Sequence, residues 1–120
     1  MMQAIRGAIT IISNDKEEIR NASIELFQQI IDVNNINLND IVSIFFSCTK
    51  DITVAYPGTY VREYFDLKNV AIMHYNEMDV EGSLPLCIRI LIYLNLNIND
   101  QLKYVYLRDA EILRKDLLHK

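Results

Sequence analysis

The sequence predicts an α+β fold, in which a mixed sheet of about five strands is packed by one long helix and by short helices. Short runs of β-branched and apolar residues recur along the chain, and one longer stretch repeats apolar residues at spacings of three and four. No linker, internal repeat or low-complexity segment interrupts this pattern. We therefore treat residues 1–120 as one domain.

The first strand is predicted over residues 2–12, which carry β-branched residues in partial alternation. Side chains two residues apart share a face of a strand, so Arg6 lies on the same face as Ala4 and Ala8. These small neighbours leave room for something to lie against the guanidinium.

An amphipathic helix follows this strand. Asn14 with Glu17 three residues later predicts its start by a capping-box pattern, and Asn34-Asn35 predicts its end, because asparagine tolerates turn geometry. The helix is expected to run for about five turns and to cover one face of the sheet. Its apolar positions at helical spacing are Ile19, Ala22, Leu26, Ile30 and Val33.

The remaining elements are four strands and one short helix. The strands are predicted over residues 41–48, 70–75, 86–96 and 103–107. Pro57 suits the first position of a short helix whose body is residues 59–65. An acidic loop over residues 76–85 and a turn over residues 97–100 separate the last three strands. Residues 109–118 are expected to make one or two short turns.

The composition narrows the class of protein. Hydrophobic residues make up 51% of a chain with only 3 glycines and 2 prolines, which predicts apolar surface buried between the subunits of a homo-oligomer. The net charge of −4 and the lack of a basic run argue against nucleic acid as a partner. No signal-peptide pattern is present, and the apolar run over residues 86–94 is too short to span a bilayer. A cytoplasmic protein without membrane contact is therefore expected.

Covalent, phosphate-binding and metal-dependent chemistry find little support in the sequence. No nucleophile-elbow motif or glycine-rich loop is present, and the 2 histidines are too few for a convincing triad. A metal site would have to use His74, Glu77 and Asp79, whose spacing matches no familiar ligand pattern. Cys48 and Cys87 lie in apolar contexts and are expected to be buried thiols.

Two arginines in strand-like apolar runs are the most informative feature of the chain. Arg6 lies in the segment AIRGAI, and Arg89 lies in the segment LCIRILIY. A buried guanidinium needs a paired anion or several acceptors. The two arginines therefore predict either an anion-binding site or ion pairs with the chain's own carboxylates. The pattern alone leaves both readings open and slightly favours the second.

A small set of cations, one acid and one phenol could form such an anion site: Arg6, Arg62, Arg89, Arg114, Glu77 and Tyr106. The arginine fork makes two parallel hydrogen bonds to a carboxylate, so a small dicarboxylate would fit this set. Each residue also has a structural reading. Arg62 could pair with Glu63 or Asp66 within its helix. Arg114 and Glu77 could be solvated, and Tyr106 could lie in the sheet core.

Several short segments, taken together, resemble the monofunctional, trimeric chorismate mutases of the Bacillus type. They occur in the family's order, span residues 5–117, and are specific in combination although each alone is weak. The segments are Ile5-Arg6-Gly7-Ala8, Tyr56-Pro57, Val61-Arg62-Glu63, Glu77-Met78-Asp79-Val80, Cys87-Ile88-Arg89, Val105-Tyr106-Leu107 and Leu113-Arg114.

The resemblance implies an isomerase that rearranges chorismate to prephenate by an intramolecular Claisen shift. It implies no cofactor, no metal and no covalent intermediate. It also implies a homotrimer with a pseudo-barrel core, in which each active site lies between neighbouring subunits. Conformational preorganisation of the substrate and positive charge aimed at its ether oxygen would lower the barrier.

The resemblance further implies roles for three catalytic residues. Arg89 would point at the ether oxygen and one carboxylate. Arg6 would bind a carboxylate, helped by Tyr106. Glu77 would accept a hydrogen bond from the ring hydroxyl and lie near the ring, where positive character develops.

The other residues that the resemblance assigns to the substrate line or close the pocket. Arg62 and Arg114 would lie at its entrance, Tyr56 would line its wall, and Leu113 would cover it. The chain departs from the family at three positions. His74 stands in place of a cysteine near the substrate hydroxyl, Thr59 in place of a lysine near the mouth, and Lys115 in place of a proline.

Two alternatives to this function remain at the level of sequence. One is a non-catalytic trimeric module that uses Arg6 and Arg89 to bind a small carboxylate ligand. The other is a different enzyme on a similar trimeric scaffold, such as an enamine/imine deaminase, which would not account for the segment EMDV followed by CIR.

Overall fold

The structure, a computed structural model, describes residues 2–96 and 101–113. Within these ranges the chain is a five-stranded mixed sheet with two α-helices and two short 3-10 turns, so the predicted α+β class is confirmed. The elements are β1 (Met2–Thr10), α1 (Lys16–Asn34), a turn (Leu38–Asp40), β2 (Ile41–Cys48), α2 (Pro57–Phe65), β3 (Ala71–Asn76), β4 (Cys87–Asn95), β5 (Val105–Leu107) and a turn (Arg108–Ala110). The turn predicted over residues 97–100 lies outside the described residues.

The strand order is β3-β2-β4-β1-β5, which places β4 in the middle of the sheet. β4 runs antiparallel to both β1 and β2, whereas β3 is parallel to β2 and β5 is parallel to β1. In this register Arg89 lies opposite Ser47 on one side and opposite Ala8 on the other. Ala8 in turn lies opposite Tyr106 of β5. One row across the sheet therefore carries two predicted site residues, Arg89 and Tyr106.

α1 packs on one face of the sheet and closes the main core. Its buried residues are Ile19, Ala22, Ser23, Leu26, Phe27 and Ile30. Four of the five apolar positions predicted for this helix are buried, but Val33 is 45% exposed. Phe27 belongs to the buried face of the helix instead. Gly7 permits this close packing, because a Cβ there would lie 2.9 Å from the Val105 carbonyl oxygen and 3.0 Å from Ile30 Cδ1.

The helix start differs from the predicted capping box by one residue. The N-cap is Asp15, whose Oδ2 accepts a hydrogen bond of 3.1 Å from the Glu18 N–H. Asn14 instead ties the helix entry to a distant loop, since its side chain donates to Thr53 Oγ1 and accepts from the Thr53 N–H. The predicted end is correct, because Asn35 adopts a left-handed conformation with φ 52°.

Side-chain hydrogen bonds also explain two strand boundaries that the sequence placed wrongly. β1 ends at Thr10 rather than at residue 12, where the Ile12 N–H is directed at Glu18 Oε1. β5 begins at Val105 rather than at residue 103. The Asn34 side-chain amide accepts from the Lys103 N–H and donates to the Lys103 carbonyl, so this residue is not free to pair with a strand.

The face of the sheet away from α1, which we call the open face, carries large apolar side chains. Met73 and Tyr75 of β3 are 52% and 50% exposed. Phe45 of β2 packs edge-on against Tyr93 of β4, with ring centroids 5.7 Å apart. None of these residues belongs to the buried core clusters of the described chain. In residues 2–96 and 101–113 no helix is long and apolar enough to cross a membrane.

Candidate active site

The centre of the open face is an ion pair that is supported from two strands. Arg89 Nε of β4 lies 2.8 Å from Oε1 of Glu77, which follows directly after β3. The other carboxylate oxygen of Glu77 accepts a hydrogen bond of 2.8 Å from Ser47 Oγ of β2. The Glu77 N–H donates to the Cys48 carbonyl at 2.8 Å, which fixes the backbone below the carboxylate. Glu77 is thus held at three points.

Arg89 pairs with a carboxylate of its own chain, as one of the two readings of the sequence predicted. Its Nε–H is nevertheless not directed at Glu77, and no group in the described part of the chain accepts a hydrogen bond from this buried nitrogen. Burial raises the pKa of the neighbouring Cys87 thiol to about 11, against an opposing effect of Arg89. The thiol is therefore neutral near pH 7 and does not balance the guanidinium charge.

Arg6 is the second cation of this face and lies two residues before Ala8. Its Nη2 is 3.5 Å from the Tyr106 hydroxyl, and its guanidinium carbon is 5.4 Å from the centre of the Tyr104 ring. Among the described residues no carboxylate forms an ion pair with Arg6. Two aromatic residues of one segment therefore hold this cation without neutralising it.

A small apolar cluster completes this side of the sheet. It consists of Ala8, Cys87, Tyr106 and Ala110, with Leu84 and Leu113 packed against it. Leu113 therefore packs against the cluster that contains Tyr106, and its role as a cover of the pocket stays a prediction. We refer to Arg6, Arg89, Glu77 and Tyr106 as the arginine site.

A second set of predicted site residues lies around the start of α2. Tyr56 is 67% exposed, and Thr59 is exposed in the first turn of the helix. Tyr56 and His74 border an open cavity of about 360 Å³, which we call the α2 cavity. The cavity is lined by Cys48, Ile52, Thr53, Val54, Ala55, Tyr56, Pro57, His74, Tyr75 and Asn76.

His74 of β3 contacts the start of α2 and the neighbouring strand β2. Its Nε2 accepts a hydrogen bond of 2.9 Å from the Gly58 N–H. Its ring stacks on Phe46 with centroids 5.4 Å apart and lies 5.1 Å from the Tyr56 ring. Desolvation by this packing lowers the pKa of His74 below its ordinary value.

Among the described residues, no hydrogen bond, ion pair or ring contact joins the arginine site to Tyr56, Thr59 or His74. His74 lies opposite Phe46, which belongs to the main core, whereas Tyr75 lies opposite Ser47 on the open face. Alternate residues of a strand point to opposite faces, so His74 is directed away from the face that carries Arg89. The structure thus brings Arg6, Arg89, Glu77, Tyr106 and Leu113 together and keeps Tyr56, Thr59 and His74 apart from them.

Arg62 makes backbone contacts that the sequence did not predict. Its Nη1 donates to the Leu67 carbonyl at 2.6 Å and its Nη2 donates to the Val70 carbonyl at 2.8 Å, so the ion pair within the helix is wrong. These bonds close the loop between α2 and β3. Its role at the pocket entrance stays a prediction. Arg114 and Lys115 lie outside the described residues.

Ser47 and Arg108 are residues of this region that the sequence reading missed. Ser47 is a polar residue in the otherwise mostly apolar strand β2, and this polar position could have indicated a functional side chain. Arg108 has a positive φ of 56° and binds Glu18, Glu25 and the Thr10 carbonyl. It anchors the segment that carries Leu113 to α1 and β1. Nothing in the local sequence predicts these three partners.

Metal ligands do not converge in the described ranges. No group of three His, Cys, Asp or Glu side chains there is arranged to hold a metal ion. Asp79 instead forms an exposed ion pair with Lys50, with Nζ and Oδ2 2.8 Å apart. Both cysteines are free and buried, as predicted.

Comparison with known proteins gives one consistent result. The family model described as chorismate mutase type I matches residues 2–117. The chain is 35% identical over 118 residues to chorismate mutase AroH of Bacillus subtilis (strain 168), which covers 98% of this chain and 93% of that protein. It is 35% identical over 119 residues to chorismate mutase AroH of Thermus thermophilus, covering 98% and 97%. The solved chorismate mutase from Clostridium thermocellum superposes with a TM-score of 0.87 at 35% identity, covering 92% and 98%.

Proposed function

Because the chain belongs to the type I chorismate mutase family, it is an isomerase that converts chorismate to prephenate, and we propose that Arg89, Glu77 and Arg6 carry this reaction. The observation that supports these assignments is the arginine site itself. It joins two guanidinium groups, one oriented carboxylate and one phenol on a single face of the sheet. This matches a substrate with two carboxylates, an ether oxygen and a ring hydroxyl.

In this reaction no group is transferred from the substrate to the protein. One ether C–O bond breaks while one C–C bond forms within the same molecule, and negative charge builds on the ether oxygen in the transition state. The protein can lower the barrier by holding the compact conformer of the substrate and by placing fixed positive charge at that oxygen. We expect no cofactor, metal or covalent intermediate.

Arg89 is the donor to the ether oxygen in this proposal. Its Nε is buried against Glu77, but the side chain as a whole is 38% exposed, so the outer part of the guanidinium is accessible to a ligand oxygen. Glu77 keeps the guanidinium in place and presents a carboxylate to the ring hydroxyl and to the ring. Ser47 orients that carboxylate through its hydrogen bond to Oε2.

Arg6 binds a substrate carboxylate together with Tyr106. No carboxylate in the described part of the protein competes for this guanidinium. The Tyr106 hydroxyl is within 3.5 Å of Nη2 and can donate to the same substrate carboxylate. Leu113, which packs against the cluster that contains Tyr106, would cover this end of the pocket, and Arg114, the next residue in the sequence, would lie at its entrance.

A second subunit completes the pocket in this proposal. The arginine site is on the open face, whereas Tyr56, Thr59 and His74 are directed elsewhere, so residues of the α2 cavity reach the substrate from a neighbouring chain. Apolar side chains such as Met73 and Tyr75 leave the open face unfavourably exposed in a single chain. A cyclic homotrimer buries this face and forms three equivalent sites. We expect the enzyme to act in the cytoplasm.

Replacing Glu77 by glutamine tests the proposed site directly. We expect kcat to fall about 10- to 100-fold, because the amide keeps the shape and the acceptor for Ser47 but removes the negative charge beside the ring. The rate is measured from the loss of chorismate absorbance, and the product is identified as prephenate.

Asp79→Asn is the matched control for this variant. It removes one negative charge from the same loop, at an exposed side chain that pairs only with Lys50 in the described chain. We expect its kcat to stay within about twofold of the wild type. Loss of the oligomer in Glu77→Gln would make this residue structural, and an unchanged kcat would remove it from the mechanism.

A further inference from the structure

The start of α2 is fastened by a side chain from a different element. The first N–H groups of a helix have no acceptor within the helix. Tyr56, the N-cap residue, provides no side-chain cap, and Pro57 has no N–H. The Gly58 N–H is therefore a donor of the first turn that has no acceptor within the helix, and His74 Nε2 of β3 accepts from it at 2.9 Å.

This hydrogen bond defines the state of the imidazole. A ring nitrogen that accepts carries no proton, so neutral His74 carries its proton on Nδ1. Packing agrees with a neutral ring, because Phe46 stacks on it and burial lowers its pKa. In the part of the chain that the structure describes, no protein group accepts a hydrogen bond from Nδ1.

Few other groups around the ring can titrate. The α2 cavity contributes the Tyr56 and Tyr75 phenols and the Cys48 thiol, and its lining includes no Asp, Glu, Lys or Arg. Burial raises the pKa of Cys48 to about 12, so this thiol stays neutral at physiological pH. Phe46, Ile72 and Gly58, which also contact the ring or its near surroundings, do not titrate. Among these groups, the His74 imidazole is thus the one whose unperturbed pKa lies near physiological pH.

We propose that neutral His74 is a positioning residue, which caps the first turn of α2 through Nε2 and thereby holds Tyr56 and the Nδ1–H in place for chorismate. This inference rests on the proposed function, because it assigns the α2 cavity to a substrate site. The His74 ring packs closely against the first turn of α2. A Cβ at Gly58 would lie 2.7 Å from His74 Cε1 and 2.8 Å from Nε2.

Protonation reverses the contact. In the imidazolium both nitrogens are donors, so Nε2–H would face the Gly58 N–H and the first turn of α2 would have to move away. Because the folded-state pKa lies below the ordinary value of 6.5, the neutral cap is present above pH 6.5 and is lost as the pH falls through the lowered value. Substrate binding should weaken in the same window.

Kinetics from pH 5 to pH 8 separate this role from simple packing. In the wild type we expect KM for chorismate to rise about fivefold as the pH falls, with a smaller change in kcat, because one net hydrogen bond is lost. The two carboxylates of chorismate are of a class that titrates near pH 4, so the substrate keeps its charge. His74→Gln retains an acceptor that does not titrate, and its KM should be independent of pH. His74→Leu has no acceptor, and its KM should be high throughout.

Three kinetic results would contradict the proposed role of His74. If His74 acted as a cation toward the dianionic substrate, KM would fall as the pH falls, and the proposal would be wrong. It would also be wrong if wild type and His74→Gln shared one pH profile, or if His74→Leu bound chorismate as the wild type does.

A second readout does not need turnover. Nitrogen-15 NMR of the imidazole side chains distinguishes the two neutral tautomers, and the chain has only 2 histidines, so His119→Gln assigns the signals. We expect protonated Nδ1 and unprotonated Nε2 at pH 8, with faster hydrogen exchange at Gly58 below the His74 pKa. The opposite tautomer would exclude the cap. Absence of prephenate formation would instead contradict the proposed function and leave this result standing.

Discussion

Arg89→Ala is expected to lower kcat for the rearrangement of chorismate at least about 100-fold, which is the usual effect of removing one preorganised donor from a developing charge. The variant removes the donor to the ether oxygen and leaves Glu77 Oε1 without its partner. Ser47 continues to hold the other carboxylate oxygen, so the loop after β3 should keep its place. The measurement is steady-state turnover, with the oligomeric state checked by sedimentation.

Two further variants control this result. Arg20→Ala removes an exposed arginine of α1 whose side chain donates a hydrogen bond only to Asn21 in the described structure, and it should behave as the wild type. Arg89→Lys keeps the charge without the fork and should recover part of the rate. Near-normal turnover in a folded Arg89→Ala enzyme would exclude Arg89 from the reaction.

Arg6→Ala is expected to raise KM for chorismate about 10- to 100-fold and to change kcat less. A charge-assisted hydrogen bond contributes about 1.5–3 kcal/mol, and each 1.4 kcal/mol changes an equilibrium constant tenfold. Arg6 is only held by aromatic groups in the described chain, so its removal leaves no buried carboxylate unpaired. The fold should therefore be unaffected.

Tyr106→Phe refines this prediction. It removes one hydroxyl but preserves the packing on Ala8 and Leu113, so KM should rise less than in Arg6→Ala. An Arg6→Ala enzyme with unchanged KM and a large loss of kcat would assign Arg6 to the transition state rather than to binding. Unchanged values of both would show that this cation does not contact the substrate.

The sequence predicts which residues of β1 share a face, because alternation along a strand is a local property. Arg6 and Ala8 share the open face, as the period of two required. The long helix and most of its buried stripe follow from the spacing of Ile19, Leu26 and Ile30. These features depend on residues only a few positions apart, and the pattern contains them directly.

The pairing of Arg89 could not be decided in the same way. Whether this arginine meets a carboxylate depends on the order of strands, which places β4 between β1 and β2 and brings Ser47 opposite Arg89. Glu77 reaches the pair only because β3 joins the far edge of β2. Each of these contacts spans a long stretch of sequence, and no local pattern specifies which strands become neighbours.

The errors at element boundaries have a related cause. Asn14 resembles a helix cap but is used by Thr53, and residue 103 resembles a strand but is used by the Asn34 side chain. In the first case a distant residue occupies the side chain that the local pattern assigned to the helix start. In the second, a distant side chain occupies the backbone groups that the local pattern assigned to a strand. The same holds for His74, whose hydrogen bond to Gly58 depends on how α2 docks on β3.

The claim that each active site is shared between subunits can be measured by mixing two inactive variants. Arg89→Ala disables the arginine site. Tyr56→Asp places a negative charge on an exposed side chain of the α2 cavity, where it should repel a dianionic substrate from the other half of the pocket. In trimers assembled at random from equal amounts, about a quarter of the sites would contain two intact halves.

Co-assembly of these two variants is therefore expected to restore about a quarter of the wild-type turnover, whereas each alone stays near background. Arg89→Ala mixed with Glu77→Gln is the matched control and should show no rescue above the activity of its components, because both changes lie in the same half. Mixed oligomers of Arg89→Ala and Tyr56→Asp that stay as inactive as their parents would contradict a pocket built from two chains.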